Sequence, residues 1–373
     1  MADPILVVIF LRGGADSLSL VAPTADVDYL AARPAFLRVS RKGEAKGHKL
    51  TDALADVDFR LHSAAGELAE LFHAGDLSIL HATGLTEATR SHFDAEARIE
   101  KASGDGGWLG RTLKALGAGG PLPALAVGTA APESLRGVSA AVAPELAELM
   151  LTPGHWLAPA LRARLASGFG DHGPLAPAMT ELLSLSRALE DRFWLTDTGE
   201  MRPYKPSVPW PETNLTQPLQ TLAQAIKADM GLRVATLDYG GWDTHVNQAA
   251  SFASLLAPLS QTLMAFWRDL GPRQQDVSVV IQSEFGRRLR ANASGGTDHG
   301  RAGAMMVLGP QAKGGRLLGR WPGLANADLE EGADLAVTTD YRDVLAEVLR
   351  GHMGIRDPAE ILPGLTPKPV GLF

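Results

Sequence analysis

Short apolar runs that end in glycine and polar residues recur along this chain. The first run, residues 5–11, is continuous and rich in β-branched side chains, and Gly13 and Gly14 follow it closely. A run of this kind predicts a strand that is buried on both faces, as the strands of parallel sheets are. Further short apolar runs lie at 77–80, 232–237, 276–281 and 304–308. The chain is therefore expected to contain a mainly parallel central sheet.

Helical patterns lie between and after the apolar runs. Apolar residues recur at helical spacing in segments 64–74, 215–230, 252–270 and 341–349. Strands that alternate with helices predict an α/β fold in which helices cover both faces of the sheet. With 373 residues, of which 45% are hydrophobic, the chain is long enough to bury a large core. We predict one domain over residues 1–373. Residues 144–211 are expected to form a helical insertion or cap, or further helices of the same core.

The composition excludes several classes of protein. The formal net charge of −7 gives no basic excess of the kind that nucleic-acid binding requires, so no nucleic-acid partner is expected. The chain has no cysteine, so any metal ion has to bind through His, Asp and Glu. No run reaches the roughly 18 consecutive apolar residues of a membrane helix, and no basic leader precedes Ile5. We expect a cytoplasmic protein as the sequence stands, or an exported one if a leader has been removed.

Polar residues that follow the first two predicted strands are candidates for a functional site. Asp16 follows the first strand, where a carboxylate can bind a metal ion, orient a nucleophile or simply cap a helix. Ser91 precedes a helical segment whose amides would favour an oxyanion, so it is the leading candidate nucleophile. An ordinary helix cap gives the same pattern at Ser91. The neighbouring His92 is a base, a metal ligand or a surface histidine.

Two loops after later strands carry further acids. Asp243 and His245 lie two residues apart, so in an extended loop they point the same way and can chelate one ion. The alternative is a structural loop that Asp243 pins with hydrogen bonds. Glu284 follows the most strand-like segment and has Arg287 nearby. This pair is either a metal ligand beside an anion-binding group or a simple ion pair.

The loop at 295–301 is the most specific of these features. Glycines on both sides of Asp298 and His299 leave the backbone free to aim both side chains inward. Arg301 can hold a phosphate or a carboxylate through two hydrogen bonds. Together, the five polar loops at strand ends predict one convergent polar pocket.

Seven short motifs resemble those of the DUF1501 proteins, a family grouped with the alkaline phosphatase and sulfatase superfamily. The matching stretches are 10–16 (FLRGGAD), 90–93 (RSHF), 107–111 (GWLGR), 241–245 (GWDTH), 283–287 (SEFGR), 297–301 (TDHGR) and 321–324 (WPGL). They occur in order over nearly the whole chain, which is identified as a member of this family. The resemblance implies an alkaline-phosphatase-like α/β/α fold in three layers, and metal-assisted attack on a phosphate or sulfate ester.

The resemblance also implies a role for each strand-end residue. Ser91 would be the nucleophile, and Arg287 and Arg301 would bind the anionic substrate. The implied metal ligands are Asp16, Asp243, His245, Glu284, Asp298 and His299. The chain departs from the superfamily where it has an acid and a histidine only two residues apart, and where Glu284-Phe285 replaces the usual Asp-His. Fewer histidines indicate a single divalent ion with more oxygen ligands, among Ca²⁺, Mn²⁺, Mg²⁺ and Zn²⁺, or no ion.

Three functions are compatible with these patterns. The preferred one is a metal-dependent hydrolase or transferase that acts on a small anionic phosphate or sulfate ester. The second is a metal-free enzyme on the same scaffold, in which His299 is the general base and Glu284 or Asp298 is its partner. The third is a non-catalytic protein that binds a ligand, or assists export or assembly through the tryptophans of its helical insertion.

Overall fold

The computed structural model describes residues 3–43, 45–51, 54–169, 173–310 and 312–373. The strands are β1 (Ile5–Leu11), β2 (Val21–Pro23), β3 (His48–Lys49), β4 (Phe59–Leu61), β5 (Leu77–Gly84), β6 (Ala124–Val127), β7 (Ala141–Ala143), β8 (Trp194–Leu195), β9 (Glu200–Met201), β10 (Val234–Tyr239), β11 (Val277–Gln282), β12 (Gly303–Leu308), β13 (Leu317–Leu318) and β14 (Thr339–Asp340). The α-helices are α1 (Ser17–Leu20), α2 (Val27–Ala32), α3 (Gly66–Ala74), α4 (His92–Lys101), α5 (Trp108–Ala115), α6 (Ala158–Phe169), α7 (Ala176–Phe193), α8 (Thr216–Ala228), α9 (Gln248–Leu270) and α10 (Tyr341–Gly351).

A large mixed sheet forms the centre of the molecule. Within the described residues it has nine strands, in the order β13-β5-β12-β11-β1-β10-β6-β7, with β14 paired to β5. β1 is parallel to both of its neighbours, and the register aligns Leu6 with Val234 on β10 and with Ser278 on β11. β12 runs antiparallel to β11 and to β5. The predicted mainly parallel sheet is confirmed.

Alternate residues of β1 face two separate hydrophobic clusters. Ile5, Val7 and Ile9 pack with residues of α3, α8 and α9 on one face of the sheet. Leu6 and Val8 pack with residues of α4, α5 and α10 on the other face. Because both faces are covered, every residue of β1 is buried, which explains its continuous apolar run. The molecule therefore has the three layers, α/β/α, that the sequence predicts.

The segment at 144–211 contributes α6, α7 and the short antiparallel hairpin of β8 and β9. Leu185 and Leu189 of α7 belong to the same hydrophobic cluster as α3, α8 and α9. α6 instead exposes Leu161 and Phe169. Residues 170–172 of this segment lie outside the described residues. Its assignment as an insertion or cap on a single domain stays a prediction.

α9 is the helix whose composition stands out. In the described part of the chain, the helical stretch Gln248–Asp276, which begins with α9, is long and apolar enough to cross a membrane, and 50% of its most apolar window is buried inside the molecule. Leu256, Leu259 and Leu263 pack in the cluster that also contains residues of α3 and α8. The composition of α9 would suit a membrane-spanning helix. Its packing is that of a helix in a hydrophobic core.

Candidate metal centre

Polar loops meet at the edge of the sheet where β1, β10 and β11 end. The loops after these strands carry Asp16, Asp243 and Glu284, and the loop that enters β12 carries His299. Because β12 runs antiparallel to β11, its start lies at the same edge as the end of β11. The loops approach closely at Gly13, where a Cβ would lie 2.4 Å from the amide nitrogen of Asp243. A larger residue at Gly13 would push these two loops apart.

Three histidines surround the carboxylate of Asp243. Nε2 of His299 lies 3.1 Å from Oδ1 of Asp243, and Nε2 of His245 lies 3.0 Å from the same oxygen. Nε2 of His92, in the first turn of α4, lies 3.5 Å from Oδ2. The Nε2 atoms of His245 and His299 are 2.9 Å apart. Ligand atoms of His92, Asp243 and His299 lie within 4.8 Å of one another, so this group is compact enough to hold one ion.

The second ring nitrogen, Nδ1, of each histidine contacts an oxygen that can only accept a hydrogen bond. These contacts join His92 to Oε1 of Glu284 at 2.7 Å, His245 to Oδ1 of Asp298 at 3.2 Å, and His299 to the carbonyl oxygen of Arg90 at 2.8 Å. A proton on each Nδ1 satisfies these three contacts, and in that tautomer of the neutral ring each Nε2 presents a lone pair. Glu284 and Asp298, which the sequence predicts as metal ligands, instead orient two of the rings.

With Nδ1 as the donor in each ring, the Nε2 lone pairs converge on a place suited to a positive charge. Nε2 of His92 is buried and has no hydrogen-bond partner among the described residues. The facing Nε2 atoms of His245 and His299 repel each other unless a proton or a metal ion lies between them. Histidine ligands of metals ordinarily have the other ring N–H held by a carboxylate or a carbonyl, as here.

The donor set fits a metal ion, and it differs from the oxygen-rich set that the sequence predicts. The imidazoles of His92 and His299 and the carboxylate of Asp243 form the compact group, and Nε2 of His245 lies beside it, 2.9 Å from Nε2 of His299. Imidazole suits Zn²⁺ and neighbouring transition metals, whereas Ca²⁺ and Mg²⁺ prefer oxygen ligands. The geometry therefore favours Zn²⁺ or a similar ion over Ca²⁺ and Mg²⁺.

Burial and charge together set the protonation of this group. Burial raises the pKa of Glu284, but hydrogen bonds from His92 and from backbone amides outweigh it and lower the pKa. Burial also raises the pKa of Asp243, but the hydrogen bond and charge of Arg287 lower it. Burial lowers the pKa of His299, which favours the neutral ring. Ionised carboxylates beside a neutral imidazole make the group attractive to a cation.

Asp16 is placed differently from its predicted role as a metal ligand. Its side chain is fully buried and forms an ion pair with Arg33, which is also fully buried. Ser19 and Gln248 donate further hydrogen bonds to its Oδ2, and the amide of Leu18 donates to Oδ1. Asp16 is the N-cap residue of α1. The structure therefore supports the capping alternative, because both carboxylate oxygens are occupied by protein donors.

The two arginines predicted to bind the substrate have protein partners. Arg287 is fully buried, pairs with Asp243, and donates to carbonyl oxygens of the loops at 12–16, 240–245 and 295–301. Arg301 is only 8% exposed and pairs with Glu330 at 2.6 Å. Both side chains hold the loops in place, and their predicted role in binding the substrate stays a prediction.

Ser91 lies beside the histidine group. It is the N-cap residue of α4, but its hydroxyl makes no capping hydrogen bond. The residues on either side of it contact the group, His92 through its ring and Arg90 through its carbonyl oxygen. The backbone of Ser91 is therefore fixed next to the candidate ligands, with its side chain exposed.

Two contributing residues are not identified by the sequence patterns. Asn292 donates from Nδ2 to Oδ1 of Asp298 at 3.1 Å, which holds that carboxylate in position. The ring centroid of Phe285 lies 4.9 Å from the ring centroids of both His92 and His299. An isolated asparagine in a loop does not by itself indicate a functional site. For Phe285 the only signal is its place in the motif where the superfamily usually has histidine.

Fold and site together define a class: a three-layer α/β protein with a histidine and carboxylate centre at the carboxyl edge of its sheet. The chain belongs to the family described as protein of unknown function (DUF1501), whose model matches residues 78–365. The predicted family membership is confirmed. No curated protein matches the chain at a significant level.

Solved structures similar to this chain come from several bacteria. The C-terminal periplasmic domain of EcEptC from Escherichia coli is 7% identical, with 99% of this chain and 89% of that chain covered and a TM-score of 0.43. The PsFucS1 sulfatase from Pseudoalteromonas sp. is 10% identical, with 84% and 64% covered and a TM-score of 0.35. Alkaline phosphatase from the Antarctic bacterium TAB5 is 10% identical, with 83% and 92% covered and a TM-score of 0.30. The location expected from the sequence, cytoplasmic or exported after removal of a leader, stays a prediction.

Proposed function

We propose that this protein is a metal-dependent hydrolase or transferase that acts on a phosphate or sulfate ester. The observation that carries the proposal is the set of Nε2 lone pairs gathered around the carboxylate of Asp243. His92, His245 and His299 would hold the ion together with Asp243. When bound, Zn²⁺ or a similar ion supplies the Lewis acidity that polarises an ester oxygen.

Ser91 is the nucleophile in this proposal. Its hydroxyl is free of the capping bond, and the first amides of α4 have no side-chain cap, so they are available to an anion. The contacts of Arg90 and His92 with the candidate centre hold Ser91 close to it. Because Arg287 and Arg301 are paired with protein acids, the start of α4 is assigned the binding of a phosphate or sulfate oxygen in this proposal.

A metal-free enzyme is the second candidate, and the environment of His299 favours it. Burial lowers the pKa of His299, so Nε2 is able to accept a proton near neutral pH. Asp243, whose Oδ1 lies 3.1 Å from that nitrogen, would stabilise the protonated ring. The two candidates differ in one measurable property, which is whether activity needs a metal ion.

Metal analysis combined with ester hydrolysis tests the proposal. The purified chain is expected to bind Zn²⁺ or Mn²⁺ and to hydrolyse an aryl phosphate or an aryl sulfate, and EDTA is expected to abolish the activity reversibly. His245→Ala should lose both the metal and the activity. His73→Ala, which removes an exposed histidine of α3, should keep both. Ser91→Ala should keep the metal and lose most of the activity.

Two results would count against the metal-dependent function. A chain that takes up no ion from Zn²⁺, Mn²⁺ or Ca²⁺ and is inert toward both esters would overturn it. Activity that persists in EDTA and disappears in His299→Ala would support the metal-free enzyme instead.

A further inference from the structure

A cavity of about 670 Å³ lies at the end of the molecule opposite to the candidate metal centre. It is bounded by the end of α7, the hairpin of β8 and β9, and the end of α8. α8 leads into β10, so its last residues lie near the amino end of that strand. The metal centre lies beyond the carboxyl end of β10. The cavity is therefore a separate site and shares no residue with the centre.

Cationic side chains line this cavity, namely Arg192, Arg202, Lys205 and Lys227. Lys227 is paired with Asp269 at 2.7 Å. Within the described residues, the other three side chains have neither an ion-pair partner nor a hydrogen-bond partner. The whole chain has a formal net charge of −7. The unpaired cations around this cavity therefore have the opposite sign to the net charge of the chain. Because like charges repel, an anionic ligand in the cavity would lower the free energy of this group.

The remaining wall of the cavity is mainly apolar. It contains the side chains of Phe193, Leu195, Pro203, Tyr204 and Ala228. The hydroxyl of Tyr204 bonds to Asp269 and accepts a hydrogen bond from Lys227 at 2.9 Å, so the ring is held in place before any ligand arrives. The volume falls within the range of roughly 300–1,000 Å³ that is usual for small-molecule sites. A wall that contains both cationic and apolar side chains suits a ligand that has both anionic groups and an apolar ring.

We propose that this cavity binds a small molecule that carries two or more anionic groups and a planar ring, the chemistry of a nucleoside diphosphate. The guanidinium groups of Arg192 and Arg202 bind phosphate oxygens through paired hydrogen bonds. Lys205 adds a third positive charge. The ring of the ligand packs against Phe193 and Tyr204. This site does not depend on the function proposed for the metal centre.

Calorimetric titration of the full chain with α,β-methylene-ADP tests the proposal. This probe carries both phosphate groups and the ring, and its P–C–P bridge resists hydrolysis. We expect it to bind more tightly than methylenediphosphonate, which has only the charge, and more tightly than adenosine, which has only the ring. The double variant Arg192→Ala/Arg202→Ala should bind the probe at least about tenfold more weakly. Arg164→Ala, an exposed arginine of α6 outside the cavity, should bind it as the wild type does.

The controls separate this site from the metal centre. Both arginines are exposed, so the double variant should fold normally, and its unfolding curve checks this. His245→Ala should leave the affinity unchanged. No binding by the wild type, unchanged affinity in the double variant, or loss of binding in His245→Ala would each overturn the proposal. The metal content of the double variant is measured separately. A failed binding test at the cavity would therefore not imply that the proposed metal-dependent function is wrong.

Discussion

Glu284 shows how one buried acid supports the candidate metal ligands. Its carboxylate accepts hydrogen bonds from Nδ1 of His92 at 2.7 Å, from the amide of Gly13 at 2.7 Å, and from the hydroxyl of Ser283 at 3.0 Å. A carboxylate behind an imidazole fixes the ring and makes its far nitrogen a better ligand. Spacing along a strand predicts the edge at which Glu284 lies. The spacing does not predict whether the carboxylate of Glu284 contacts the ion directly or bonds to Nδ1 of a histidine ligand. A difference of a few ångströms in side-chain position decides between these two roles.

We expect Glu284→Gln to weaken metal binding by about 10- to 100-fold, because the amide is a weaker acceptor and lacks the charge. Competition with a coloured chelator measures the affinity. Glu96→Gln is the matched control, since Glu96 lies on α4 and its carboxylate pairs with Arg12 at 3.5 Å. Equal affinities in Glu284→Gln and the wild type would mean that this acid does not support His92.

The buried pair of Asp16 and Arg33 gives a stability prediction. Asp16→Ala leaves the guanidinium of Arg33 buried without its partner, so the free energy of unfolding should fall by about 3–5 kcal/mol. Urea unfolding measures this loss. Asp26→Ala removes only the N-cap of α2 and should cost about 1 kcal/mol. If Asp16→Ala kept its stability and lost the metal, Asp16 would be a ligand after all.

Among the elements, those of the core follow the sequence most closely. β1 spans Ile5–Leu11 as predicted, and α9 spans Gln248–Leu270 where the pattern predicts 252–270. Burial on both faces produces such clear patterns. β6 (Ala124–Val127) has two alanines among four residues and therefore no marked β pattern. The direction of β12 depends on its pairing with β5 and β11, which lie far from one another in the sequence, so its own residues do not reveal it.

The end of α9 anchors segment 203–211, which is rich in proline and follows the β8–β9 hairpin. Asp269 accepts hydrogen bonds from Tyr204, Ser207 and Lys227. Burial raises the pKa of Asp269, but these hydrogen bonds outweigh burial and lower the pKa to about 2. A lowered carboxyl pKa stabilises the folded state above the ordinary pKa of that group. The contribution is lost as the pH falls through about 2.

We therefore expect Asp269→Asn to be less stable than the wild type by about 2 kcal/mol at pH 7. The difference should shrink below about pH 4, where the wild-type carboxylate begins to lose its advantage. Urea unfolding of both proteins at several pH values between 7 and 3 measures this dependence. Asp191→Asn, at an exposed position of α7, should show no such difference at any pH. A stability loss in Asp269→Asn that is the same at pH 3 and pH 7 would contradict the electrostatic explanation.

At the scale of the whole molecule, the candidate ligands come from distant parts of the chain: His92, Asp243 and His245, and His299. The sequence predicts their convergence, because loops at the carboxyl edge of one sheet lie close together whatever their separation along the chain. The cationic cavity at the other edge is not predicted from the sequence. It arises from the packing of α7, the β8–β9 hairpin and α8, and no periodicity in those segments marks Arg192 and Arg202 as neighbours.

The central position of β1 has a consequence for how the protein is made. Leu6 pairs with Val234 and Ser278, so both neighbours of this strand belong to the second half of the chain. Ribosomes add roughly 5–20 residues per second. At that rate, β1 is synthesised about ten seconds or more before either of its neighbours. Throughout that interval its seven apolar residues have no partner strand. Nascent chains that stop before β11 leave one edge of β1 unpaired, so we expect them to bind chaperones more than the full chain does.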